Sequence, residues 1–164
     1  MSATRPFQAF VEEHRTHVYR FLLVAAGPGE ADDLFQETFL AALRAYPTLE
    51  HEENLRGWIL AIASRKAIDA SRKRSRHATP VADVTLVTDG ASNGGVEAFD
   101  PNDPLWQAVR GLPPRQRIAL VHRVVLDRPY AEIAEAMGTD EAAARANVYQ
   151  ALKNLRERWN GDED

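Results

Sequence analysis

One interruption fixes what this chain can become. On either side of residues 77–104 apolar residues recur at helical spacing, and between those bounds the pattern fails. Thr79-Pro80, Thr88-Asp89-Gly90, Ser92-Asn93-Gly94-Gly95 and Asp100-Pro101-Asn102-Asp103-Pro104 are turn and breaker clusters. A chain of 164 residues divided this way holds two small helical domains rather than one large one. The spacing predicts an all-α fold, with a leading domain over 1–76, a flexible acidic linker over 77–104 and a trailing domain over 105–164. Val81, Val84, Leu86 and Val87 have strand character, but a lone strand has nothing to pair with.

The leading domain reads as three main helices. Phe7, Phe10, Val11, His14, Val18, Phe21, Leu22 and Ala25 mark the first, which Gly27-Pro28-Gly29 breaks. A second runs from Asp32 to about Tyr46, with Phe35, Phe39, Ala42, Leu43 and Tyr46 as its apolar stripe. Its other side carries Asp33, Gln36 and Glu37, with Leu40 and Arg44 below them, a face that either meets water or docks on a partner. Asn54-Leu55-Arg56-Gly57-Trp58 leads into a third helix, apolar at Ile59, Ile62, Ala63, Ala67 and Ile68.

In the trailing domain, Leu105, Trp106, Val109 and Leu112 make a short helix. Pro113-Pro114 stops it and opens the next, whose stripe is Leu120, Val121, Val124 and Val125. Tyr130, Ile133, Ala134 and Met137 then sit at i, i+3, i+4 and i+7. Gly138 suits a left-handed helix end, and Asp140 suits the N-cap of a final helix. That helix is expected to bury Ala144, Val148, Leu152, Leu155 and Trp159, and to show Arg145, Asn147, Gln150, Lys153 and Asn154. A short helix, a glycine turn and a longer helix form a helix-turn-helix pattern, whose second helix enters the major groove in DNA-binding proteins. An αα-hairpin facing water has the same outline.

The net charge of −4 hides an uneven distribution. Arg65, Lys66, Arg72, Lys73, Arg74 and Arg76 cluster around the single Asp69, whereas 77–104 holds Asp83, Asp89, Glu97, Asp100 and Asp103 and no lysine or arginine. The acid masks a basic helix. The chain has no cysteine, which excludes a disulfide scaffold and thiolate metal sites and fits a reducing cytoplasm. No signal peptide or bilayer-spanning apolar run is visible, so no membrane insertion is expected. No further regulatory domain is expected beyond Trp159 and Gly161-Asp162-Glu163-Asp164. His14 and His17 are the nearest approach to a metal pair and lack a third ligand. No phosphate-binding glycine loop is present, and neither cofactor, metal nor catalytic residue is expected.

The order of these pieces resembles the extracytoplasmic-function (ECF) group of bacterial RNA polymerase sigma factors. The resemblance rests on Asp32-Asp33-Leu34-Phe35-Gln36-Glu37-Thr38-Phe39-Leu40, on Leu55-Arg56-Gly57-Trp58-Ile59 followed by Ala67-Ile68-Asp69 and a basic run, on Leu112-Pro113-Pro114-Arg115-Gln116-Arg117, and on Tyr130-Ala131-Glu132-Ile133-Ala134. It implies a region 2-like bundle of three or four helices, then a region 4-like helix-turn-helix domain. It implies that Asp33, Gln36, Glu37 and Leu40 bind core RNA polymerase, through the coiled coil of its largest subunit, and that the polymerase flap is a further contact. For the −10 promoter element, bound as single-stranded DNA, it nominates Asn54 and Arg56 for bases and Arg65, Lys66, Arg72 and Lys73 for phosphates. For the −35 element it nominates Arg115, Gln116 and Arg117 as phosphate contacts, with Arg145, Asn147, Gln150 and Lys153 on the groove-facing helix. Ala144-Arg145-Ala146-Asn147 stands where the family often carries a Val-Lys-Ser-Arg-like run, so one basic residue is lost. In the family the linker threads polymerase channels, and an anti-sigma factor often holds the protein inactive. Asp69 either serves DNA binding or orients a neighbouring arginine, and Trp58 either stacks on DNA or fills the core.

Two functions fit this sequence. One is a dissociable sigma factor that directs promoter recognition and transcription initiation. The other is a stand-alone helix-turn-helix regulator with a helical sensor or dimerisation domain. The face formed by Asp33, Gln36 and Glu37 beside a basic helix separates them, because a sensor domain does not need it.

Overall fold

The computed structural model describes residues 5–50, 53–76 and 103–161. All regular structure among them is helical: α1 (Phe7–Ala26), α2 (Pro28–Ala45), α3 (Leu55–Arg76), α4 (Pro104–Arg110), α5 (Pro114–Leu120), α6 (Tyr130–Met137) and α7 (Glu141–Gly161). A 3-10 turn, Tyr46–Thr48, follows α2, and a π-helical turn, Val121–Val125, continues α5. Of the linker expected over 77–104, residues 77–102 lie outside the described residues, while Asp103 and Pro104 open α4 as its N-cap and first residue.

Gly27 sharpens the first corner. At φ +89° it ends α1 and caps α2 at once, and Pro28 supplies the fixed φ of a first helical residue. The second helix therefore starts at Pro28, not Asp32. The trailing turn follows its sequence signals. Gly138 is left-handed (φ 67°, ψ 38°), and the Asp140 carboxylate accepts from the Ala143 N–H at 2.7 Å. Asp103 caps α4 likewise, accepting from the Leu105 N–H at 2.8 Å.

Three apolar stripes differ from expectation. In α2 the buried face is Ala31, Leu34, Thr38, Phe39 and Ala42; Leu43 is exposed and Phe35 is half-buried. Leu43 follows Gln36 by seven residues and so lies on the same solvent-facing side of the helix. In α7, Ala144, Val148 and Ala151 are buried, Leu155 is half-buried, and Leu152 and Trp159 are exposed. Its 21 residues outrun the 7 of α5 and the 8 of α6, which cannot cover the last turns. After α5, Leu120 and Val121 stay inside while Val124 and Val125 face water. The wide π-helical turn shifts the register there and turns His122 inward.

The two helical units close on each other. α3 runs alongside α6, and α1 meets α4, α5 and the π-helical turn. Buried residues from both units form one continuous cluster, from Phe10, Phe21 and Ile59 to Ile118, Ile133 and Val148. His122 lies at the seam, its ring centroid 4.8 Å from that of Phe21 and its Nε2 2.7 Å from Ser64 Oγ. Asn54 of the leading unit donates to Glu132 of α6 at 3.1 Å. A Cβ on buried Gly57 would come within 2.8 Å of an Arg128 guanidinium nitrogen, so only glycine admits this approach without rearrangement.

Candidate polymerase and promoter interface

Along α2 the helical repeat puts Asp33, Gln36, Glu37 and Leu40 on one side, and all four are exposed, Leu40 at 52%. Leu43 extends that face, so an apolar patch lies beside the acids. An exposed leucine pair flanked by carboxylates suits a partner helix that presents both apolar and basic groups.

The basic residues of α3 come close to that face. Glu30, Asp33, Glu37, Lys66, Asp69, Arg72 and Lys73 line one cleft of about 480 Å³ between α2 and α3. Arg65, Arg72 and Lys73 are exposed and Lys66 is half-buried, so the set presents cations to solvent along the helix. Asp69 lines the cleft without an ion pair to any arginine among the described residues. Arg74, a member of the basic cluster but not among the expected phosphate contacts, reaches Glu30 of α2 at 2.8 Å.

Asn54, just before α3, is already engaged. Asn54 Oδ1 accepts from the Gly57 N–H at 3.0 Å while its amide nitrogen donates to Glu132. Arg56 is exposed. Trp58 is half-buried and packs against Phe10 and Tyr46, with ring centroids 5.7 and 6.4 Å away, as a core aromatic does. His14 is buried against Phe10 at 4.8 Å, and burial lowers its pKa and that of His17.

The trailing unit divides its nominated residues. Arg145, Gln150 and Lys153 are exposed on α7. Arg145 lies over the Tyr130 ring at 5.2 Å, and Arg123 lies over the same ring at 4.6 Å, so a cation–π contact orients the arginine. Asn147 donates to the Ala143 carbonyl at 3.0 Å. Tyr149, 65% exposed, shares the helix and lies outside the expected contact set. Arg115 is exposed, whereas Gln116 accepts from Asn154 at 2.8 Å.

Arg117 departs from its expected place. It is 8% exposed, donates to the Arg110 carbonyl at 2.6 Å and turns toward the seam rather than a groove. Burial, with Arg74 and Arg110 nearby, lowers its guanidinium to about 10.

Residues 10–77 match the family model for sigma-70 region 2, and residues 102–155 match the model for sigma-70 region 4. The chain is 32% identical over 146 residues to the ECF RNA polymerase sigma factor SigF of Caulobacter vibrioides, a match that covers 88% of this chain and 79% of the relative. It is also 32% identical over 153 residues to the ECF RNA polymerase sigma factor SigC of Mycobacterium tuberculosis, covering 92% and 82%. Among solved structures, the sigma factor RpoE in complex with the anti-sigma factor NepR from Bartonella quintana has the same fold. The TM-score is 0.72 at 21% identity, with 92% of this chain and 94% of the other covered.

Proposed function

Because this chain belongs to the ECF group of RNA polymerase sigma factors, we propose a specific division of labour among its residues in directing promoter recognition. Asp33, Gln36, Glu37 and Leu40 dock the protein on core RNA polymerase. Arg65, Lys66, Arg72 and Lys73 hold phosphates of the −10 element as its strands separate, with Asn54 and Arg56 at the bases. The α6–α7 pair reads the −35 element as duplex, with Arg145, Asn147, Gln150 and Lys153 on the groove side. Residues 1–76 and 105–164 act as the two promoter-binding domains, tethered by 77–104. The protein works in the cytoplasm, carries out no chemistry of its own, and is open to control by an anti-sigma protein.

The observation that carries this reading is the exposed α2 face, two carboxylates, an amide and Leu40, set directly beside the basic stretch of α3. A stand-alone regulator would need the trailing unit but not that pairing. Core polymerase given a promoter template, with and without the purified protein, tests it. Run-off transcripts that appear only when the protein is added support the reading, and a protein that binds duplex DNA but never joins polymerase overturns it.

A further inference from the structure

The seam between the two units holds a cleft lined by none of the residues that the division of labour above assigns to promoter or polymerase. Its volume is about 470 Å³, and it is lined by Ala26 at the end of α1, Arg74 of α3, and Gln107, Arg110, Gly111 and Arg117 of the trailing unit. Three guanidinium groups from both units therefore converge on one space. Only Arg74 has a carboxylate partner among the described residues, Glu30 at 2.8 Å. Arg110 is exposed over Gly27, where an added Cβ would meet its guanidinium at 3.0 Å.

Arg117 is the most buried of the three. More than nine-tenths buried, it spends one terminal nitrogen on the Arg110 carbonyl, while its Nε is buried and makes no hydrogen bond. A guanidinium this deeply buried beside Arg74 and Arg110 is costly, with the nearby Glu30 offsetting only part of the charge, and an anion in the adjoining cleft offsets more. Arginine forks match phosphate oxygens two at a time, which suits a ligand carrying more than one phosphoryl charge. The volume falls in the range of small-molecule sites.

We propose that this cleft is a binding site for a small phosphate-bearing anion of the diphosphate class, held by Arg74, Arg110 and Arg117 across the seam. Such a ligand touches both units only while they are closed, so it favours the closed arrangement by mass action. The site rests on the packing of the two units, not on the sigma factor reading, and either can fail without the other.

The probe is inorganic pyrophosphate, titrated calorimetrically into the full chain at constant ionic strength, with inorganic phosphate and a single-stranded oligonucleotide as the other arms. The expected result is one saturable site for pyrophosphate, tighter than for phosphate. Arg74→Gln and Arg110→Gln, both at exposed positions, each weaken it by about tenfold, and Arg117→Gln removes it. Glu30→Gln, which frees Arg74, tightens it. Absence of saturable pyrophosphate binding overturns the site, as does binding that Arg74→Gln and Arg110→Gln leave unchanged. Displacement of pyrophosphate by the oligonucleotide also overturns it, because the phosphates would then belong to nucleic acid.

Discussion

His122 and Ser64 share a hydrogen bond in which the proton belongs to the imidazole. The Ser64 hydroxyl lies 2.7 Å from the Leu60 carbonyl oxygen and 2.7 Å from His122 Nε2. A carbonyl only accepts, so the single hydroxyl proton goes to Leu60, and Nε2 must carry a hydrogen to donate to Ser64 Oγ. Nδ1 is then the bare nitrogen, and it is buried without a partner. Both side chains are fully buried, and the bond joins α3 to the π-helical turn.

Replacing Ser64 with alanine strands the Nε2–H in the core. The expected destabilisation is about 1–3 kcal/mol by urea denaturation. In a double-mutant cycle, adding His122→Leu should cost less in the Ser64→Ala background than in the parent protein, because no imidazole is left to satisfy. Strictly additive effects would show that the two do not interact.

Acid should loosen the fold in a way that traces to the same ring. Burial, with a smaller contribution from Arg128, lowers the His122 pKa from 6.5 to about 3. Between those values the unfolded chain binds a proton that the folded chain refuses, so stability is complete above about 6.5 and is lost as pH falls. The difference in stability between the parent protein and His122→Leu should shrink by about 1.4 kcal/mol per pH unit below roughly pH 6. His14 and His17, also lowered by burial, push in the same direction and remain in both proteins. A pH-independent difference between the two denaturation curves would contradict the buried neutral imidazole.

Alanine at Asp33, Gln36 and Glu37 together should weaken binding to core polymerase by about 2 kcal/mol or more, roughly thirtyfold. All three are exposed, so folding stability should change by no more than about 0.5 kcal/mol each. Fluorescence anisotropy of labelled protein against core enzyme, with circular dichroism alongside, reads both quantities.

Removal of Arg72 and Lys73 addresses the −10 phosphates. Each contact to single-stranded DNA contributes about 0.7 to the slope of log affinity against log salt, so the double alanine variant should flatten that slope by about 1.4. The measurement is binding of a forked promoter template by the polymerase holoenzyme over a salt series. An unchanged slope would place these side chains away from the backbone.

The sequence made its local punctuation plain. Gly138 and Asp140 were legible because a left-handed helix end and an N-cap each demand a particular residue type at one position. The exposed set on α2 was legible because helical repeat alone separates Asp33, Gln36 and Glu37 from Phe39 and Ala42. What depends on distant chain segments was not. Leu43, Leu152, Val124 and Val125 belong to apolar patterns, yet whether each is covered depends on the length and approach of a neighbouring helix. Nothing near His122 announces Ser64, 58 residues away, and nothing near Arg117 announces that it turns toward α3 instead of a groove. Arg74 and Glu30 pair only because α2 and α3 lie side by side.

The amide of Asn54 has both ends occupied, one by the Gly57 N–H and the other by the Glu132 carboxylate on the helix-turn-helix. One N–H and one lone pair of that exposed amide remain open to solvent. The Glu132 carboxylate thus ties the start of α3 to the helix-turn-helix, and separating the two units frees the N–H that Asn54 donates to it.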